Sequence, residues 1–467
     1  MVIMTQTPAA VVVHVAMFPW FAMGHIGPYL QIANKFAERG HRVSFFVPLK
    51  TKDKVKHLNL HPHLIHFIPI TMPQVDGLPP GVETTADAAA HLAPLISVAF
   101  DSTQDQLSLS LQSLKPDVVF YDFSHWLPSL ARPLGIKPVY FAMSSAVSHA
   151  LLLVPSRKKQ MTSVIDLREP PPGFPSSSSI MHQRPFEARD EIWFSSEFHG
   201  RMSFYDRLTS CIREGDAACF RACHEIEGPF CDYVSNQYDN KPVLLMGAVL
   251  PEATTTIKLE EKWEKWLGGF EKGSVVYCAF GSECELKKEQ FQELVLGLEL
   301  TGLPFLVRLS PPMGCKTVEE ALPEGFEERV RGRGVVHGGW MQQQLILSHP
   351  SVGCFVSHSG PASIWEALVS DAQIVVVPYR GDQFVVAKFV AREIKIGVEV
   401  ERREEDGWYT REDVCKVLKV VMDQGSQVGD QVRANHQKWK DFLLTPGLDK
   451  AYFDNFIIKL QDLINSK

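Results

Sequence analysis

Hydrophobic residues occur along this chain in short unbroken runs, separated by longer stretches in which they recur every three or four positions. Val11 to Met17 is one such run, and its length and continuity fit a central strand covered on both faces. After the loop Phe18 to Gly24, the residues Leu30, Ala33, Phe36 and Ala37 mark one face of a helix. Pro28 stands where a first helical turn tolerates it, and Gly40 ends the element. His41 to Val47 then reads as a second strand, which completes one βαβ unit. The alternation continues through Leu64 to Ile70 (strand), Ala86 to Leu114 (helix), Asp117 to Tyr121 (strand), Leu127 to Leu134 (helix) and Pro138 to Met143 (strand). Strands separated by helices of this length imply a parallel sheet with helices on its faces.

The rhythm lapses from Pro155 to Ser195, where Pro170 to Pro172 and the serines Ser176 to Ser179 predict an excursion beside the sheet, of the kind that shapes ligand pockets. A second series begins at Gly273: Ser274 to Phe280 strand, Lys288 to Leu300 helix, Pro304 to Leu309 strand, Val352 to Ser357 strand, Ser363 to Leu368 helix and Gln373 to Pro378 strand. Pro251, Thr254, Thr255 and Thr256 mark the linker between the two series. Val432 to Ile464 is helical in pattern around a bend at Pro446 and Gly447. The expected organisation is an N-terminal Rossmann-like domain over residues 1–250, a linker over 251–272, a second Rossmann-like domain over 273–440, and a helical segment over 441–467 packing back on the first domain. Two parallel sheets of this kind present ligands to each other at the carboxyl ends of their strands, which suits a reaction joining two substrates.

A length of 467 residues, more than one core usually organises, agrees with two domains. A hydrophobic share of 45% and a charged share of 22% describe an ordinary globular protein. The formal charge of -7 argues against an overall field that gathers nucleic acid or an anionic membrane. The 9 cysteines are scattered, with no CxxC and no zinc spacing, which predicts reduced thiols in the cytoplasm. Residues 1–34 contain no Asp, Glu, Lys or Arg, but Pro8, Pro19, Gly24, Gly27 and Pro28 break them well short of a spanning helix, and a soluble chain is expected. No GxGxxG follows the first strand and no GxxxxGK[ST] occurs, so a nicotinamide oxidoreductase and a phosphate-loop ATPase both lose their sharpest signature.

His25 lies where the first strand's loop meets the first helix, a place where a parallel sheet presents catalytic groups. An imidazole with a pKa of about 6.5 accepts a hydroxyl proton near neutral pH. Asp122 follows the apolar strand ending at Tyr121 and can face the same crevice, where a carboxylate on the far ring nitrogen fixes the tautomer.

From Trp340 to Gln383 runs WMQQQLILSHPSVGCFVSHSGPASIWEALVSDAQIVVVPYRGDQ. With Trp340, Gln343, His349, Gly353, His358, Gly360, Ser363, Glu366, Pro378, Asp382 and Gln383 in register, it resembles the signature box of plant family 1 UDP-sugar glycosyltransferases. FPWFAMGHIGPYLQIANKFAERGHRVSFF near the start and FGSE at Phe280 to Glu283 extend the resemblance over nearly the whole chain. The resemblance implies an α/β protein of the GT-B type, two Rossmann-like domains facing across a cleft, the C-terminal one holding the sugar nucleotide and the N-terminal one the acceptor. It places Trp340 against the uracil, where a flat ring is worth about 1–3 kcal/mol; on residue type alone, Trp340 could equally be a core aromatic. Gln343 joins the UDP contacts and Glu366 takes the ribose hydroxyls. Ser282, His358, Ser363 and backbone N–H groups at a helix start converge on the diphosphate, although simple capping would also explain the two serines. Where the family commonly reads HCGWNS this chain reads HSGPAS, so Ala362 stands in place of an asparagine that assists at the phosphate.

The family's base and orienting acid fall on His25 and Asp122. The implied reaction is direct displacement at the anomeric carbon with inversion, needing no DxD motif, no metal and no cofactor. VDGLPPGVETTAD, YDFSHWLP and LVSDAQIVVVP resemble the branch that extends an existing sugar on flavonoid, anthocyanin, terpenoid or steroid glycosides. The implied partners are therefore a UDP-sugar and a small-molecule glycoside, joined 1→2 in preference to 1→6, with the enzyme a monomer. The Asp382–Gln383 pair implies UDP-glucose, with UDP-xylose and UDP-rhamnose behind it; as a bare pattern, Asp382 could also serve as a helix cap. A protein that binds a sugar nucleotide without turning it over is the alternative from another class, and transfer to an aglycone the alternative within this one.

Overall fold

The computed structural model describes residues 12–198, 202–250, 258–281 and 284–466. Val11, the linker residues Pro251 to Thr256, Ser282 and Glu283 lie outside them. Seven parallel strands form the first sheet: β1 (His14–Phe18), β2 (Arg42–Pro48), β3 (Ile65–Ile70), β4 (Val118–Tyr121), β5 (Lys137–Ala142), β6 (Ala217–Phe220) and β7 (Val243–Leu245), in the spatial order β3-β2-β1-β4-β5-β6-β7. Six parallel strands form the second: β8 (Val275–Ala279), β9 (Phe305–Arg308), β10 (Gly334–His337), β11 (Val352–Ser357), β12 (Gln373–Val376) and β13 (Gly397–Glu399), in the order β10-β9-β8-β11-β12-β13. In both sheets the order reverses beside the first strand, between β1 and β4 and between β8 and β11. Connections leaving the strand ends diverge to opposite faces there, and the gap between them is a crevice.

The alternation of side chains along β1 shows why its apolar run is nearly continuous. Val15 and Met17 enter one core with Ile26 and Phe36, whereas Ala16 and Phe18 enter the core on the opposite face with Phe100 and Trp126. Helix α1 (Met23–Ala37) covers the first of these faces. It starts earlier than the sequence suggests, so Pro28 lies within the helix and not in its first turn, at the expense of one backbone bond. The stretch expected to be helical from Ala86 to Leu114 is divided instead into Ala93–Asp101 and Gln104–Leu114. Ser102 and Thr103 make the break, their hydroxyls bonding back to the carbonyls of Val98 and Phe100.

Residues 155–195 do more than lie beside the first sheet. They form short helices tied together by the buried Arg157, whose guanidinium donates to both Glu191 oxygens at 2.7 Å. After α2 (Ala146–Leu152), which precedes it, this region supplies α3 (Pro185–Ile192), which docks on the second lobe. Its Glu187 pairs with Lys388, both side chains 0% exposed, and its Phe186 ring meets Phe384 edge-on at 5.4 Å. Helix α4 (His224–Gln237) adds Phe230 against Phe389 at 5.8 Å.

In the second lobe, α5 (Pro361–Leu368) follows β11 and α6 (Asp382–Lys388) follows β12. Helices α7 (Gln427–Leu443) and α8 (Leu448–Asn465) meet at the predicted bend. Helix α8 lies against the first lobe, where Phe453 and Phe456 pack edge-on to Phe36 at 5.4 and 5.9 Å and Asp454 accepts from Arg39 at 2.6 Å. No described helix is long and apolar enough to cross a membrane.

Candidate active site

The two crevices hold the residues that the sequence singles out. Asp122 is the first residue beyond β4, and its buried carboxylate is fixed from two sides. One oxygen accepts the N–H groups of Trp20 and Phe123, both at 2.7 Å; the other lies 2.6 Å from His25 Nδ1 in the first turn of α1. A carboxylate already accepting two N–H donors acts as acceptor toward the ring as well. The proton therefore sits on Nδ1, and Nε2 keeps its lone pair. Aromatic rings crowd this side of the cleft: Phe123 meets His25 edge-on at 5.8 Å, stacks on Trp20 at 5.1 Å and touches Phe204 at 5.4 Å.

Across the cleft, His358 is the first residue beyond β11 and is buried. Burial first, and then the charge of Arg308, lower its pKa to about 4, so the ring is neutral at physiological pH. Its Nδ1 accepts from the Gly281 N–H at 3.3 Å, which leaves the proton on Nε2, available to an anion. The ring is closely flanked: a Cβ on Gly281 or Gly360 would come within 2.9 or 2.8 Å of Nε2, so neither position has room for a side chain. Pro361 opens α5, where its missing N–H costs nothing, and Ala362 and Ser363 complete the first turn.

Glu366 and Ser363 are joined by Gln343, whose amide nitrogen donates to Ser363 Oγ at 3.1 Å and to Glu366 Oε2 at 2.7 Å. Gln344, which the sequence reading passes over, donates to the other Glu366 oxygen at 3.0 Å. Trp340 is 74% exposed, with its indole in solvent and not in a core. Arg308 also escapes a pattern search. It donates to the carbonyls of Phe280 at 3.0 Å and Gly339 at 3.3 Å, tying the loop after β8 to the loop that carries Trp340.

Asp382 and Gln383 open α6. Burial raises the Asp382 carboxyl above its ordinary value, and its Oδ2 accepts a hydrogen bond from Ser144, which leads into α2 in the first lobe. Gln383 turns its amide oxygen back to accept the N–H groups of Tyr379 at 3.0 Å and Arg380 at 3.2 Å. The structure thus brings His25 and Asp122 together on one side, and Gln343, Ser363 and Glu366 together on the other. Ser144 links the first lobe to Asp382. Among the described residues no three His, Cys, Asp or Glu side chains gather as metal ligands.

Residues 253–453 match the model of the UDP-glucoronosyl and UDP-glucosyl transferase family. The chain is 51% identical to a cyanidin 3-O-galactoside 2''-O-xylosyltransferase of Actinidia chinensis var. chinensis, over 97% of this chain and 98% of that relative. It belongs to this family. A second relative, an anthocyanidin 3-O-glucoside 2''-O-glucosyltransferase of Ipomoea nil, is 50% identical over the same shares. Among solved structures, a UDP-glucose: anthocyanidin 3-O-glucosyltransferase in complex with UDP superimposes with a TM-score of 0.79 at 20% identity, covering 98% of this chain and 100% of that one. The protein is accordingly a UDP-glycosyltransferase with the GT-B arrangement of two Rossmann-like lobes.

Proposed function

We propose that this UDP-glycosyltransferase moves a sugar, glucose in the first instance, from UDP to a sugar hydroxyl of a flavonoid-type glycoside, the 2''-hydroxyl of a 3-O-glycoside above all. The observation that carries the catalytic part is the 2.6 Å contact between His25 and Asp122. His25 Nε2 takes the proton of the acceptor hydroxyl as its oxygen bonds to the anomeric carbon. The bond from that carbon to the phosphate oxygen breaks on the opposite face, UDP leaves, and the configuration inverts. Asp122 stabilises the imidazolium that forms. Charge on the departing diphosphate is met by the His358 Nε2 proton, Ser282, Ser363 and the first turn of α5. Trp340 stacks on the uracil, while Glu366, oriented by Gln343, receives the ribose. Asp382 and Gln383 receive the donor sugar. No resident metal or cofactor enters this scheme, and full activity in EDTA is its check.

The acceptor assignment draws on the two relatives, whose names describe transfer to the 2'' position of an anthocyanidin or cyanidin 3-O-glycoside. The partly exposed rings of Phe123 and Phe204 beside His25, backed by the buried Trp20, suit a planar polyphenol. Incubation with matched aglycones and 3-O-monoglycosides, read by mass spectrometry, tests it; turnover of the aglycones alone would overturn it. Xylose is the second donor reading, favoured by the Actinidia relative, and competition among equimolar UDP-glucose, UDP-xylose, UDP-rhamnose and UDP-galactose decides between them. We place the enzyme in the cytoplasm as a monomer. Its nine cysteines are all free thiols, which suits a reducing compartment.

A further inference from the structure

We propose that Asp190, a residue of the acceptor-side excursion, is the positioning residue that sets donor-sugar discrimination, by fixing the turn that leads into Asp382 and Gln383. The inference rests on the reading that this turn meets the donor sugar. Asp190 Oδ2 accepts the Gly381 N–H at 2.7 Å, and Gly381 takes a φ of 56°, in the region that favours glycine. The turn is therefore gripped at its sharpest residue by a side chain from a distant part of the sequence. Helix α3 holds the helix that follows at two further points, Phe186 on Phe384 and Glu187 on Lys388. With Gln383 Oε1 occupied by Tyr379 and Arg380, the amide nitrogen of Gln383 is the end left to address a ligand, and its direction depends on the same turn. The groups assigned to the nucleotide, Trp340, His358 and Glu366, stand on other elements. Releasing Gly381 should therefore disturb sugar recognition and spare UDP.

The test is calorimetric titration of the full chain with UDP, UDP-glucose and UDP-xylose, which needs no acceptor. Asp190→Ala leaves the Gly381 N–H unpaired and is expected to change the Kd ratio of the two UDP-sugars about fivefold or more, with the Kd for UDP within about twofold of wild type. Asp190→Asn, whose side-chain oxygen still accepts that N–H, is expected to keep the wild-type ratio, whereas Asp190→Leu, of similar size but with no acceptor, is expected to change it as alanine does, a difference that a purely packing role would not give. Asp190→Glu, which displaces the carboxylate by one methylene, replaces the alanine variant if that one fails to fold, and is expected to alter the ratio as well. If Gln383→Ala changes the ratio and none of the disruptive Asp190 variants does, positioning by Asp190 is wrong. If Gln383→Ala and the Asp190 variants all leave it unchanged, or if the wild type does not distinguish the two sugars, the turn is not the discriminating element, and the proposal falls with that reading.

Discussion

His25 and Asp122, 97 positions apart in the chain, meet at 2.6 Å because β1 and β4 are adjacent and both end at the point where the strand order reverses. Two backbone donors hold the carboxylate, so the ring is oriented before any acceptor arrives. His25→Ala should therefore lower kcat by about 100-fold or more while leaving the affinity for UDP almost unchanged. Asp122→Asn keeps the shape but not the charge, and a kcat loss of similar order is expected. Initial rates alongside UDP inhibition constants check both; near-normal kcat in His25→Ala would make that histidine structural.

Trp340 projects into solvent and contributes little to the folded core. Replacing it with Ala should leave the thermal midpoint within about 1 °C to 2 °C, since surface changes rarely exceed 0.5 kcal/mol. Affinity for UDP should nevertheless fall roughly 5- to 150-fold, the equivalent of about 1–3 kcal/mol of stacking. A large drop in midpoint with unchanged affinity would reverse the assignment.

Burial lowers the pKa values of His149, His358 and His436 to about 4 each. Between about pH 6.5 and 4 the unfolded chain binds protons that these folded rings refuse, so stability falls as the pH falls, by about 1.4 kcal/mol per unit for each histidine. Glu227, raised to about 7 by burial, acts in the opposite sense: below pH 7 its folded carboxyl holds a proton that the unfolded chain has released. Three groups outweigh one, and the urea midpoint should be lower at pH 5 than at pH 7. An equal or higher midpoint at pH 5 would contradict the burial of these rings.

The pair Glu187 and Lys388 is sealed between α3 and α6, with neither side chain exposed. Arg184 also pairs with Glu187, so the group that depends on this contact is the buried Lys388: Glu187→Leu leaves its ammonium without the carboxylate and should cost about 3–5 kcal/mol, whereas the double change Glu187→Leu with Lys388→Met should recover most of it. Denaturant titration of the single and double variants separates the two outcomes. A single variant as stable as wild type would mean that water reaches the pair.

The parts of this molecule that follow a local rule were legible in the sequence. The strand Val352–Ser357 stands where its apolar run predicts, and the bend at Gly447 separates α7 from α8 as composition suggests. Length alone does not hide a strand, since β4, β9 and β12 have four residues each and are read from their runs of large apolar side chains; Ala217–Phe220 lacks β-branched residues altogether, and β10 and β13 open on glycine with only two and one apolar residues behind it. At the site, His358 and Asp122, each the first residue beyond an apolar strand, stand where the pattern points. Asp190, Ser144 and Arg308 do not, because each acts through a backbone group or a side chain remote in sequence. A bond of that kind leaves no local pattern to read.

Helix α8 seals α1 with Phe453 and Phe456 over Phe36, and this fixes an order of events during synthesis. Roughly 400 residues separate the two sides of that contact, so at ordinary elongation rates Phe36 waits about 20 to 80 s on the ribosome for its covering. The second sheet, whose strands and their intervening helices are all made before α8, can close during that interval. The lobe that is translated first is thus completed after the second, and its uncovered apolar helix face is a natural place for a chaperone to bind the nascent chain.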